Sequence, residues 1–349
     1  MTVIADLPEP RGPLSSALLA YWRHGVALPG DLGPGRDVDP LTDDDLQLAL
    51  WCCYELHYRG FEGLDDRWEW DGPTLVFRRR LEQSFEDGLR AEHQADAVPA
   101  DPRLALRVVA DWGGPPLARS VESDGTRWQL EEFAIHRSIY QLKEADPHTW
   151  VIPRLLGPAR SALIEIQADE YGGGRPGEAH AELFAAAMDE LGLSSRFGHY
   201  VDHVPGVTLA TDNLVSLFGL HRRLRGALVG HLALFELCSV TPMTRYLSAA
   251  HRIGGLPALE RFYRVHVEVD AHHARLALDH MVGDLVEREP ELAPDVIFGA
   301  AALSRVEVRF ARHLLASWNK GRSSLRCVPA ATEGGDRRRR RAVADAGAR

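Results

Sequence analysis

Residues 264–281, RVHVEVDAHHARLALDHM, place the strongest constraint on what this chain can fold into. They set His266, Asp270 and His273 at intervals of four and three residues. An α-helix turns once every 3.6 residues, so those intervals return to nearly one bearing, and three side chains able to hold a metal point one way from one rod. Arg264, Glu268 and His272 already supply a separate polar stripe, so solvation of one face does not account for the trio. The pattern predicts a long helix over 256–286.

The rest of the chain reads as helices broken by Gly and Pro. Among 349 residues, 45% are hydrophobic, enough for one large core or two modest ones. Helical segments are expected near 17–22 and at 43–59, 74–93, 127–145 (closed by Asp146-Pro147), 159–171, 178–191, 207–220, 222–238 and 294–318. No stretch alternates with a strand's period and no fixed repeat occurs, so the predicted fold class is all-α. Residues 1–40 are Pro/Gly-rich and expected as a flexible arm, 41–112 as an N-terminal helical segment, 113–319 as the main bundle, and 320–349 as a disordered, Arg-rich tail. The helices at 43–59 and 74–93 pack together or make a homodimer contact.

Charge and cysteine content narrow the function classes. The net charge is −10, and from Lys320 onward nine Lys/Arg stand against three Asp/Glu, which leaves −16 on residues 1–319. An acidic body argues against a nucleic-acid partner. No run approaches the roughly 18–20 apolar residues of a membrane span, and the first residues lack a signal-peptide layout, so the expected location is cytoplasmic and away from membranes. Cys52, Cys53, Cys238 and Cys327 form no CxxC pair and are expected as packing residues. His57 and His93 are expected at the surface.

Three further carboxylates and one histidine stand out by their company. Glu236 lies within LALFELC, where an ionised side chain facing the core needs a cation or hydrogen-bond donors. Glu144 follows Lys143 and can equally be a solvated charge. Glu170 and His180 flank the breaker GGGRPG, which rules out one uninterrupted helix between them. Carboxylates and histidines from separate helices make an oxygen- and nitrogen-rich, sulfur-free ligand set, suited to iron or manganese pairs inside a bundle.

The order Glu144, Glu170, His180, Glu236, then His266, Asp270 and His273 as His-x-x-x-Asp-x-x-His, resembles the haem-oxygenase-like diiron oxidases and oxygenases, also called iron-containing redox enzymes. The resemblance covers roughly residues 129–318 and implies a haem-oxygenase-like helical bundle with an N-terminal helical extension. It implies that these seven residues hold two ferrous ions, with O₂ as co-substrate and a small molecule as the compound oxidised, by N-oxygenation or oxidative C–C cleavage. An external electron source is a further implied partner. His266, four residues before Asp270, is similar to the arrangement in N-oxygenating members, whereas the glycine-interrupted interval from Glu170 to His180 departs from the tighter family spacing. Four carboxylates neutralise two divalent ions, which suits an apolar bundle. Tyr140, one turn before Glu144, either lies beside the metals or packs; His280 lies about 10 Å further along the rod than His273 and packs or lines an access route. Three alternatives remain at this stage: haem on one axial histidine, a metal-free enzyme with Cys238 as nucleophile, or an iron-binding or scaffold protein without catalysis. The first two use none of the four carboxylates.

Overall fold

The helices follow from caps and breakers that the sequence supplies at their ends. The structure, a computed structural model, describes residues 4–35, 37–93 and 97–329. The order is α1 (Pro13–His24), α2 (Asp44–Glu55), α3 (Gly72–His93), α4 (Pro102–Ala110), α5 (Leu117–Asp124), α6 (Arg127–Gln141), α7 (Asp146–Thr149), α8 (Gly157–Glu170), α9 (His180–Glu190), α10 (Gly206–Leu220), α11 (Arg225–Ile253), α12 (Pro257–Arg275), α13 (Gly283–Arg288) and α14 (Ala293–Trp318). Asp43 caps α2 by accepting the Leu46 N–H at 2.7 Å, and Asp101 caps α4 through the Arg103 N–H at 2.8 Å. Among the described residues there is no strand, only an isolated bridge between Ala5 and Phe61. Among the described residues the fold is an all-α bundle.

Helix α11 is the central rod, packed along α12 on one side and α14 on the other, while α9 backs α12 and α10 lies on α2 and α14. Its contact with α14 is backbone to backbone. A Cβ at Gly230 would sit 1.9 Å from the Val296 carbonyl oxygen, and one at Gly299 would sit 1.9 Å from that of Ala227. Residues 222–253 also reach a mean hydropathy of 1.3 over 18 residues, long and apolar enough by composition to span a membrane, which corrects the expectation of no such run. The apolarity has a packing use here: Ala227, Leu228 and Ala233 are fully buried in the core.

Several boundaries differ from the sequence reading, each for a local reason. The helix expected over 127–145 ends at Gln141, and Lys143 and Asp146 then donate to carbonyls three residues back, at Tyr140 and Lys143. Asp146-Pro147 opens α7 instead of closing α6, because proline fits the first turn of a helix. Helix α11 passes Cys238 and runs through Pro242 to Ile253. The rod expected over 256–286 is α12, then a π-helical turn at Leu276–Val282, then α13. Helices α4 and α5 fall outside the expected set, although Asp101-Pro102 is a readable cap.

The ends are packed where described. Helix α1, within the stretch read as an arm, buries Leu18, Leu19 and Trp22, and its Leu14 N–H donates to Asp45 at 2.7 Å. Ser324, within the stretch read as a tail, is buried and donates its N–H to Glu132 at 2.6 Å. The arginine run at 337–341, with residues 330–349 generally, lies outside the described residues. His57 is buried between Glu69 and Arg78, not at the surface. Cys52 and Cys53 pack in the core, but Cys238 and Cys327 are exposed.

Candidate metal centre

Five separate pieces of chain bring the seven candidate residues together. Glu144 comes from the turn after α6, Glu170 is the last residue of α8, His180 the first of α9, Glu236 lies midway along α11, and His266, Asp270 and His273 share one face of α12. All seven are buried, from His273 at 0% exposed to Glu144 and Glu170 at 9%. Their ligand-type atoms form two adjacent triplets, Glu144/His180/His266 and Glu170/Glu236/His273, each within 4.8 Å. Asp270 joins Glu144, Glu170, Glu236 and His266 around a cavity of about 30 Å³.

The glycine-rich breaker makes this juxtaposition. Gly172, Gly173 and Gly174 all adopt positive φ, folding the chain back so that Glu170 Oε2 comes 2.9 Å from His180 Nδ1. At Gly172 the fold-back is tight as well as left-handed: a Cβ would lie 2.5 Å from the Ala179 nitrogen. Glu182 then reaches back to accept the Gly177 N–H at 2.8 Å and the Ala179 N–H at 3.3 Å, fixing the start of α9 at His180. Glu170 and His180 thus fall in different triplets, one on each side of the site.

Hydrogen bonding tests whether these donors suit a metal. Glu144 Oε2, Glu170 Oε2, His180 Nδ1, His266 Nε2, Asp270 Oδ2 and His273 Nδ1 are buried without a hydrogen-bond partner, their mutual contacts being too long or too oblique. Buried polar atoms are seldom left so. The remaining nitrogens of two of these histidines are engaged: His266 Nδ1 donates to the Phe262 carbonyl at 2.8 Å, and His273 Nε2 lies 3.0 Å from Asp169 Oδ2. That division, with one nitrogen anchored and the other free toward the site, is how a metal-binding imidazole is oriented. Among the described residues no lysine or arginine pairs with the four carboxylates. The residues therefore fit a cationic group, and their oxygen/nitrogen donors fit iron.

Protonation equilibria carry the same mark of uncompensated negative charge. Burial alone would favour neutral imidazoles, yet Glu144 and its neighbours raise His266 to about 10, and Glu236 with Asp169 raises His273 to about 9. Burial raises Glu236 to about 7 despite His273 beside it, and raises Asp270 despite His266. At Glu170 the penalty of burial is outweighed by His180, His266 and His273, which hold the carboxyl at about 2. Without metal, imidazolium groups supply the missing cations.

The surroundings include residues that sequence reasoning did not single out. Asp169, next to Glu170, orients His273; Ser239 lines the metal cavity beside Asp270; His148 and Gln167 line it too. His148 Nε2 lies 3.3 Å from His231 Nδ1, both fully enclosed, with burial pushing His148 down to about 4. Tyr140 does lie beside the site, its ring stacked on Phe235 at 5.5 Å, with burial and then Glu144, Glu170 and Glu236 raising its phenol. His280 is exposed on the π-helical turn, and His272 is held at the surface by Glu165. Although Cys238 is exposed, desolvation by the protein around its sulfur raises the thiol to about 11, the wrong direction for a thiolate nucleophile.

The sequence pattern of a family described as iron-containing redox enzyme matches residues 131–308, a span that holds all seven candidate residues. A nitrosourea synthase of Streptomyces achromogenes subsp. streptozoticus is 26% identical over 159 residues, which cover 45% of this chain and 34% of that enzyme. The match therefore spans about a third of that relative's length.

Proposed function

Because the chain belongs to the family of iron-containing redox enzymes, we propose that it is a non-haem diiron oxygenase whose iron pair is held by Glu144, Glu170, His180, Glu236, His266, Asp270 and His273. The observation that carries this reading is the pair of adjacent, buried donor triplets whose facing atoms have no hydrogen-bond partner and only one another at ion-pair range. When bound, two ferrous ions would supply two electrons and open positions for O₂. The protein's own work is to hold charge and shape: four carboxylates balance two divalent ions, the Phe262 carbonyl and Asp169 fix the His266 and His273 rings, and Tyr140 stacked on Phe235 forms one wall of the site. A cavity of about 30 Å³ among the carboxylates leaves no room for a porphyrin, which disfavours a haem reading.

For the compound oxidised, N-oxygenation is the preferred chemistry. A relative named for a nitrosourea, a product bearing a nitroso group on nitrogen, supports it, as does His266 one turn before Asp270. The proposal includes a cytoplasmic location, a small-molecule substrate and an external source of electrons. Anaerobic loading with ferrous salt followed by metal analysis tests the centre, with a limit near two irons per chain expected. Substrate-dependent O₂ consumption with an N-oxidised product by mass spectrometry tests the chemistry. A limit below one iron, or zinc preferred with no optical change on adding O₂, would sink the diiron reading; a cleaved carbon skeleton would replace N-oxygenation with C–C cleavage.

A further inference from the structure

Beside the metal cavity lies a second, larger chamber of about 330 Å³, lined by α4, α5, α6, α11, α12 and α14. The two share four residues, Tyr140, Phe235, Ser239 and Met243, which form a neck between them. On its far side the chamber shares Gly113, Gly114, Pro115, Ser304 and Val308 with an open outer cleft of about 570 Å³. The outer cleft, the chamber and the carboxylate cavity therefore lie in series, each sharing wall residues with the next.

The chamber wall is mainly apolar and aromatic: Val109, Phe133, Leu234, Tyr246, Tyr263 and Leu303 all face it. Its one ion pair is closed. Arg137 is held bidentately by Glu307 at 2.8 and 2.6 Å and lies over the Phe133 and Phe310 rings, so neither charge is free to take a substrate's charge. A ligand with a charged body would lose its hydration here and find no free counter-charge in the wall. Pro242 has no N–H to give the Cys238 carbonyl one turn back, and both residues line the chamber.

Resting on the diiron reading, we propose that this chamber is the substrate pocket and that it takes a small amine with an apolar, aliphatic or aromatic skeleton. The skeleton fills the chamber, and the nitrogen passes the neck of Tyr140, Phe235, Ser239 and Met243 toward the metal site. The Cys238 carbonyl offers an acceptor to an N–H along the way. The volume lies at the lower end of small-ligand pockets, which sets a compact substrate.

The test uses the full chain, iron-loaded and anaerobic, with primary n-alkylamines of increasing length, 2-phenylethylamine, and the polar amines lysine and arginine as probes. Affinity should rise about fourfold per methylene until the chamber is full, the burial of one CH₂ being about 0.8 kcal/mol, and lysine and arginine should bind far more weakly. Leu303→Trp, which fills the chamber without touching a proposed ligand, should lower affinity for the best alkylamine at least tenfold and leave the iron content unchanged. Leu303→Ala should move the optimum to a longer chain, which keeps the test decisive if the tryptophan variant does not fold. Equal or tighter binding of lysine or arginine, or full iron loading with no chain-length dependence, would overturn the chamber assignment and leave the diiron reading standing. Length-dependent binding of alkylamines to a protein that loads no iron would overturn the diiron reading and leave the chamber as an apolar-amine site.

Discussion

Two buried charge clusters meet at consecutive residues of one turn, and they solve the same electrostatic problem differently. Lys143, 1% exposed, turns one way, with its Nζ 3.1 Å from Glu55, 3.0 Å from Asp212 and 4.2 Å from the centre of the Tyr58 ring. Glu144 turns the other way, toward three other carboxylates and three histidines, with no lysine or arginine among their described partners. The first cluster carries its own cation; burial pushes Glu55 up to about 6, the Lys143 charge opposing it, and the two carboxylates raise Lys143. The second is built for a cation the polypeptide does not supply. Buried carboxylates alone are thus no sign of a metal site: the sign is the missing internal counter-ion together with free donor atoms facing one another.

The largest expected effect breaks the first cluster. Lys143→Met leaves Glu55 and Asp212 buried without their cation and should cost about 3–5 kcal/mol of stability in both metal-free and iron-loaded protein, read by urea unfolding. Asp270→Ala should do the reverse: iron affinity falls by at least about 10–100-fold, the loss typical even of residues that merely orient a ligand, while metal-free stability holds or rises as one buried anion disappears. Glu268→Ala, on the exposed face of α12, is the control and should keep its iron. Equal loading in both variants would show that the α12 face is misassigned.

Smaller effects sharpen the comparison. Gly172→Ala should lose about 1–2 kcal/mol through left-handed strain and more through its clash with the Ala179 backbone, separating Glu170 from His180 and lowering iron content. Gly174→Ala, with nothing within 4 Å of the added methyl, should show only the strain. The smallest effect is in pH. His266 and His273 titrate at about 10 and about 9 in the folded protein, above an unfolded value of about 6.5, so the stability they contribute is complete below pH 6.5 and is lost as pH rises through 9 and 10. The metal-free protein should therefore drop by a few degrees in Tm between pH 8 and 10. Iron-loaded protein, its imidazoles already deprotonated, should not show that loss, and parallel Tm curves for the two forms would contradict the imidazolium assignment.

How much of the molecule is legible in the chain depends on how local each cause is. The α12 face is fixed by spacing within eight residues, so helical periodicity by itself sets His266, Asp270 and His273 on one bearing. Glu170 and His180 are legible as a pair because glycines and a proline mark the turn between them. The partner of Lys143 is not: Glu55 lies 88 residues away, and beside Glu144 the lysine looks like an ordinary solvated charge. The apolar chamber is hidden for the same reason, since its walls come from six helices, two of which, α4 and α5, carry too short an apolar period to stand out. Asp169 is in plain view next to Glu170, yet its role appears only when α8 meets α12.

The glycine contacts between α11 and α14 divide one rod into halves with different freedom to vary. Around Gly230 and Gly299 the two backbones touch, and no side chain of any size can be inserted without prising the helices apart. Beyond Glu236, the same helix offers Cys238, Ser239, Pro242, Met243 and Tyr246 to the chamber. Substitutions there reshape what can reach the carboxylates without disturbing the seam that keeps Glu236 in place. A lineage built on this helix can change its diet through one end while the other end holds the frame still.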